Sequence, residues 1–325
     1  MPSSPISYAD ILAARARIAP HLDGSPVRSY PLLDTLVGHD IRVLVKHENH
    51  LPVNSFKVRN ATSALTALPW AVAARGVAAA STGNHGQGLA WAGARLGIPV
   101  TICVPVGNNP EKNDAIRSLG ARLVETGGSY DASAAACDTI ASDEGLTVIH
   151  STNHRHVLAG AGTLTAEFLD QAPALDAIVI ALGGGSQAVG AIVVRDVVAP
   201  GLGVFAVQSS AARAQHDAWH DGRTRSGERA DTFAEGIATG STYDLTFDTL
   251  RSGLADFALT TDADIAQSVR DLLRITHNLV EGAGSAGLAG LHVLAPRLAG
   301  KTVGIILSGG NLDAARLVEL LAGRL

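Results

Sequence analysis

Short apolar runs that end in polar or glycine-containing turns and lead into helical stretches recur along this chain, and that order limits the fold more than any other feature. Ile41–Val45, Gly76–Ala80, Val100–Val104, Ala177–Ala181, Gly203–Val207 and Thr302–Leu307 are apolar almost throughout and do not alternate. Continuous apolar runs mark strands buried on both faces, and helices between such runs are the crossovers of a parallel sheet. Helices are expected over residues 8–19, from near Phe56, from about His85 to Leu96, from about Pro110 to Leu119, from about Gln187, and in the C-terminal segment to Leu325. Arg122–Val124 reads as a further short strand, and the charge-rich Asp217–Arg229 as an exposed loop. The expected class is α/β, built from βαβ units.

Composition narrows the partners. Hydrophobic residues make up 46% of the 325, aromatics only 4%, and there are 35 glycines. That mixture suits an alanine- and valine-rich α/β core with many tight turns and argues against a β-sandwich. The length suits one large domain or two intimately joined ones. A net charge of −5 gives no electrostatic case for nucleic acid. No apolar run reaches the roughly 20 residues that a bilayer span requires, so no membrane partner is expected. Met1-Pro2-Ser3-Ser4-Pro5 lacks the basic and apolar parts of a signal peptide. Cys103 and Cys137 are too few for a disulfide scaffold and have no metal-ligand spacing. The expectation is a cytoplasmic protein with buried, reduced thiols.

Four segments carry chemistry. In Asn54-Ser55-Phe56-Lys57-Val58-Arg59-Asn60 a single lysine is embedded beside an aromatic ring and a short polar turn, just after the polar run Lys46–Asn49. A poorly solvated ammonium loses its proton readily and becomes a nucleophile. Ser81-Thr82-Gly83-Asn84-His85-Gly86 is a turn between a strand and a helix, where backbone amides converge on an anion, although such a turn also serves as a simple helix cap. Gly183-Gly184-Gly185-Ser186 has the same placement, and its glycines let amides approach a phosphate; a ligand-free tight turn reads the same way. Ser308-Gly309-Gly310-Asn311 closes the last apolar run.

In this order and at these separations, the four segments resemble the pyridoxal-phosphate enzymes of the tryptophan-synthase fold (fold type II), with the threonine/serine dehydratases nearest among them. The resemblance extends from about Ile11 to the C-terminus, because Ala234-Glu235-Gly236-Ile237-Ala238 and Glu281-Gly282-Ala283-Gly284-Ser285 match two further dehydratase segments. It implies two lobes, each a mainly parallel sheet flanked by helices: residues 1–75 with 153–325 as the large cofactor domain, and 76–152 as a small domain closing over the substrate. It implies that Lys57 forms the Schiff base with pyridoxal 5'-phosphate and carries protons. Phe56, Asn84 (to the phenolic oxygen), Gly183, Gly184, Gly185, Ser186, Gln187 and Ser308 (to the pyridine nitrogen) would hold the cofactor. Ser81, Thr82, Gly83 and His85 would hold the substrate carboxylate, and Asn54, Glu235, Gly236 and Glu281 would line the pocket. A neutral hydroxyl at the ring nitrogen favours prompt loss of a β-leaving group over transamination.

The implied reaction is dehydration and deamination of a small β-hydroxy amino acid, L-threonine to 2-oxobutanoate or L-serine to pyruvate. Two alternatives stay open: an unusual substrate such as a hydroxyaspartate, a phenylserine or an ectoine-derived amino acid, and β-replacement on the same fold. Asn54 and Asn60 stand where relatives usually carry smaller residues, and Ser186 replaces the usual fourth glycine, as in tryptophan synthase's β chain. Thr82 occupies the place of the serine that is serine racemase's second proton carrier, and its hydroxyl could serve the same step. After Val207 the chain reads Gln208-Ser209-Ser210-Ala211-Ala212-Arg213-Ala214 without a carboxylate, so no metal is expected there. His150, His154 and His156 are expected in a solvated loop and not on a metal. The regulatory domain of biosynthetic threonine dehydratases is not expected after Ser308. Assembly as a homodimer or homotetramer is implied by the resemblance alone.

Overall fold

The computed structural model describes residues 4–325. Helix α1 (Tyr8–Ile18) starts at Ser7, whose hydroxyl accepts from the Asp10 amide while the Asp10 carboxylate accepts from the Ser7 amide; this reciprocal capping fixes the helix start. Strand β1 (Val27–Ser29), helix α2 (Pro31–Val37), strand β2 (Arg42–Lys46) and helix α3 (Lys57–Thr66) follow. Next come α4 (Trp70–Ala73), β3 (Val77–Ala80), α5 (Asn84–Leu96), β4 (Val100–Val104), α6 (Pro110–Ser118), β5 (Arg122–Glu125), α7 (Tyr130–Glu144) and β6 (Thr147–Val148). The chain continues through α8 (Arg155–Gln171), β7 (Ala177–Ala181), α9 (Ser186–Val198), β8 (Gly203–Ser209), α10 (Ala214–Asp221) and α11 (Phe247–Gly253). It ends with β9 (Asp256–Thr260), α12 (Asp262–Thr276), α13 (Gly282–Leu294), β10 (Thr302–Ile306) and α14 (Ala314–Leu321).

The strands form two sheets. One has six strands in the order β1-β2-β10-β7-β8-β9, parallel except for the antiparallel edge strand β1. The other has four parallel strands in the order β5-β4-β3-β6. Successive residues of the large sheet enter different cores, as the pleat demands. Ile178, Ile180, Val204 and Ala206 pack with α1, α8 and α9, whereas Ala177, Val179, Phe205 and Val207 pack with α2, α12 and α13. Ile102 and Val77 of the small sheet meet Leu89 of α5 and Leu65 of α3, and the opposite face places Cys103 beside Cys137 of α7. Helix α3 therefore packs on the small sheet's core although its residues precede that sheet's first strand.

Several local expectations are corrected. Asp217–Asp221 is the end of α10, where Asp217 accepts from Arg213 one turn earlier, so the exposed connection is shorter than its charge suggests. The C-terminal helix stops at Leu321. His156 lies in α8 and His154 is the residue just before it, because Leu158, Leu164 and Phe168 draw that segment onto the large sheet's core as a helix while Val157 joins the small sheet's core. His150 is half-buried, and its Nδ1 accepts from the amides of Thr152 and Asn153. No helix among the described residues is long and apolar enough to cross a membrane.

Candidate active site

Three turns converge because each follows the C-terminal end of a parallel strand, the edge where α/β sheets bind ligands. The glycine turn follows β7, Ser308 follows its neighbour β10, and Ser81 follows β3 of the facing sheet. Between them lies a cavity of about 660 Å³, a size suited to a cofactor with a small substrate. Phe56, Lys57, Ser81, Thr82, Gly83, Asn84, His85, Gly183, Gly184, Gly185, Ser186, Gln187, Glu235, Gly236, Glu281 and Ser308 all line it. Asn54 does not line it: its backbone takes a left-handed turn (φ 49°), and its exposed amide donates to Asn311 Oδ1 at 3.2 Å. Asn60 is fully buried, with no hydrogen-bond partner for either amide atom.

Lys57 is the first residue of α3, and the turn before it is fastened to the Ser308 segment. The Ser55 hydroxyl donates to the Ser308 carbonyl at 3.2 Å, and Ser55 forms a bridge with Gly309. Burial strips water from the Lys57 ammonium and lowers its pKa from 10.5 to about 8, against the opposing pull of the Glu281 charge. Behind α3, Arg59 is held in a buried charge cluster. It donates to both oxygens of Glu48 at 2.7 and 3.0 Å and to both oxygens of Glu167 at 3.0 and 2.9 Å, while Lys46 donates to Glu167 at 2.5 Å.

Each oxygen and nitrogen in the Asn84 side chain is accounted for. Its Nδ2 donates to Glu281 Oε1 at 2.7 Å and its Oδ1 accepts from Asn311 Nδ2 at 2.7 Å. The backbone N–H of Asn311 in turn donates to Glu281 Oε2 at 3.2 Å. Burial raises the Glu281 pKa, and the bond from Asn84 opposes the rise. The Ser81 hydroxyl oxygen accepts from the Gly86 amide at 2.9 Å, so it braces the turn that it begins. His85 Nε2 lies 2.9 Å from the Ile149 carbonyl, which can only accept; the ring proton is therefore on Nε2 and Nδ1 is a bare, buried acceptor. Burial and the nearby Lys57 charge lower the pKa of this ring to about 3.

The cavity's chemistry fits pyridoxal phosphate. A lysine of lowered pKa suits an aldehyde, and the glycine turn forms a cradle that tolerates no side chain. A Cβ at Gly183 would stand 2.5 Å from the Gly236 carbonyl, one at Gly184 would stand 2.0 Å from Thr152 Oγ1, and Gly185 has φ +97°. Gln187 Nε2 is buried without a protein partner at the start of α9, as a donor awaiting an anion would be. Asn311 of the Ser308 segment lines the cavity too, and residues that sequence reasoning missed complete the wall: Asn108, Lys112, Tyr130, Thr152, Tyr243 and Arg316. They come from helices and loops whose polar residues look like any solvated surface. Lys112 lies with its stem 4.0 Å from where a Gly83 side chain would begin, and its ammonium pairs with Glu235. Among the described residues, no group of histidine, cysteine and acidic side chains could hold a metal ion.

This fold and this cavity define a fold type II pyridoxal-phosphate enzyme of the threonine/serine dehydratase kind. The chain belongs to the pyridoxal-phosphate dependent enzyme family, whose model matches residues 18–309. It is 32% identical over 317 residues to an L-threo-3-hydroxyaspartate ammonia-lyase of Pseudomonas sp, covering 98% of this chain and 99% of that one. It is 31% identical to an L-threonine ammonia-lyase of Thermotoga maritima, covering 97% of this chain and 78% of the relative. Among solved structures, a pyridoxal 5'-phosphate-dependent aspartate racemase superposes with a TM-score of 0.92 at 29% identity, covering 98% of this chain and 99% of that one.

Proposed function

We propose that this enzyme removes water and then ammonia from a β-hydroxy amino acid bearing a second carboxylate, converting 3-hydroxyaspartate to oxaloacetate and ammonia. The observation that carries this reading is Lys112. Apart from Lys57 and the half-exposed Arg316, it is the only lysine or arginine among the described residues that lines the cavity, and it lies beside the turn expected to hold the substrate's α-carboxylate. A second carboxylate one carbon further along would meet that ammonium in a charge-assisted bond. The Pseudomonas relative is named for a hydroxyaspartate, and the racemase for aspartate.

When bound, pyridoxal phosphate supplies a conjugated ring that accepts the electron pair left at the substrate's α-carbon. The chain does the rest. The amides of Gly183–Ser186 and the Gln187 side chain would hold the phosphate, and the Ser308 hydroxyl would face the ring nitrogen as a neutral partner. The Ser81–His85 turn would orient the α-carboxylate, placing the α-proton before the Lys57 amine. With a pKa near 8, about a tenth of that amine is unprotonated at pH 7, far more than for an ordinary lysine, and that form can take the proton. Thr82 lines the same cavity, and its hydroxyl would be available as a second proton carrier.

A second reading has its own support. Phe233 and Ile237 give the cavity an apolar wall suited to the methyl group of L-threonine, which would yield 2-oxobutanoate, with L-serine yielding pyruvate. The deciding experiment is 2-oxo acid and ammonia release by the cofactor-loaded protein from L-threo-3-hydroxyaspartate, L-threonine and L-serine in parallel. A higher kcat/KM for hydroxyaspartate than for the other two supports the first reading. Preference for threonine replaces it with the second, and release from none of them would sink both.

A further inference from the structure

We propose that Glu235 sets the selectivity of the site between substrates with two carboxylates and substrates with one. It holds the Lys112 ammonium while no second carboxylate is present and yields it when one arrives. The inference rests on the reading of Lys112 given above.

The two partners are unequal. The Lys112 side chain is 12% exposed and that of Glu235 is 58% exposed. A solvated carboxylate that leaves an ion pair regains water, so releasing it costs little. A largely buried ammonium left without an anion is costly, so Lys112 keeps one partner at all times. A substrate carboxylate can take the place of Glu235, whereas the methyl of threonine or the hydrogen of serine cannot. Glu235 also carries the same charge as the incoming group, so it opposes a dicarboxylate by competition and by repulsion until it turns away. The exchange need not open the mouth of the cavity. Lys112 belongs to α6, which packs on the small sheet, and Asn109 just before α6 separately donates to Asp313 beside α14 at 3.2 Å. That second crossing remains when Glu235 turns out.

The test uses the cofactor-loaded enzyme carrying Glu235→Gln, Glu235→Asp or Lys112→Met, each first matched to the parent by thermal melting. Calorimetry compares succinate with butyrate, which has the same chain length and one carboxylate fewer, and turnover compares 3-hydroxyaspartate with L-serine. Glu235→Gln is expected to raise both dicarboxylate-to-monocarboxylate ratios by about two- to fivefold, the scale of an exposed ion pair. Glu235→Asp keeps the charge and is expected to stay nearer the parent; a rise equal to that of the glutamine variant would show that size acts and charge does not, and would overturn the proposal. Lys112→Met is expected to lower both ratios by about tenfold or more. Unmoved ratios in Lys112→Met would sink the reading of Lys112. Ratios that fall in Lys112→Met yet do not rise in Glu235→Gln would sink the role of Glu235 alone.

Discussion

The backbone amide of Phe56 donates to the carbonyl of Ser308 at 3.1 Å. Residues 56 and 308 lie far apart in the chain, yet this bond makes the turn before Lys57 and the end of β10 one rigid piece. The backbone positions from which the Lys57 amine and the Ser308 hydroxyl project are therefore held together by main chain, leaving only the side-chain rotamers to adjust their separation.

Replacing Lys57 by alanine removes both the nucleophile and the expected base. Turnover should fall by at least about 10²–10⁴-fold, the range for a positioned acid–base group. The loaded protein should also lose the parent's visible cofactor absorbance. Full activity in a cofactor-loaded Lys57→Ala protein would remove the lysine from the mechanism.

The lowered pKa of Lys57 has a direct consequence for reconstitution. The reactive form is the neutral amine, whose fraction rises with pH until about 8 and levels off above it. The rate at which apoprotein takes up pyridoxal phosphate should therefore climb about tenfold per pH unit below that point. Stopped-flow absorbance between pH 6 and 9.5 checks it. A rate still climbing tenfold per unit above pH 9 would mean that the ammonium is not desolvated.

Gly184→Ala should weaken cofactor binding, because the new methyl would stand 2.0 Å from Thr152 Oγ1. A loss of about 1–3 kcal/mol is expected in a spectroscopic cofactor titration. Adding Thr152→Ala removes the two closest of those contacts and should restore part of the affinity. Additive losses in the double variant would show that the two residues do not collide.

The Arg59–Glu48–Glu167–Lys46 cluster should be far more sensitive to breaking than an exposed pair. Arg59→Met leaves two carboxylates with one cation and should destabilise the protein by about 3–5 kcal/mol in urea unfolding. Burial alone would raise the Glu167 pKa, but the hydrogen bonds and charges of Arg59 and Lys46 prevail and lower it from 4.5 to about 2. A depressed carboxyl pKa contributes stability that is present above the unfolded value and lost as pH falls to the folded one. The Glu167 share should therefore survive to about pH 4.5 and vanish near pH 2. Replacing Glu167 by glutamine should flatten the acid limb of the stability profile.

The parts of the site legible in the sequence are those made by strand ends. Gly183–Ser186, Ser81–Gly86 and Ser308 each follow an apolar run, so periodicity located them and their turn chemistry showed what they could do. Lys57 stood out through its neighbours and its order relative to those turns. Lys112, Tyr243 and Arg316 were not legible, because a polar residue on a surface helix or loop carries no mark of what it faces after folding. Asn54 failed for the converse reason. It sits three residues from Lys57, but its left-handed backbone turns it outward to Asn311. The buried cluster behind α3 was equally hidden, since Lys46, Glu48, Arg59 and Glu167 read locally as ordinary solvated charges.

The solvent exposure of Glu235 bears on how readily this scaffold can acquire new preferences. Substitutions at exposed positions usually change stability by no more than about 0.5 kcal/mol, so the rim can be rewritten without endangering the fold beneath it. The glycine cradle has no such latitude, since a methyl at Gly183 or Gly184 would collide with main chain or with Thr152. Divergence among enzymes of this shape should then accumulate around the entrance while the floor stays nearly unchanged, and laboratory retargeting of the enzyme should begin at the rim.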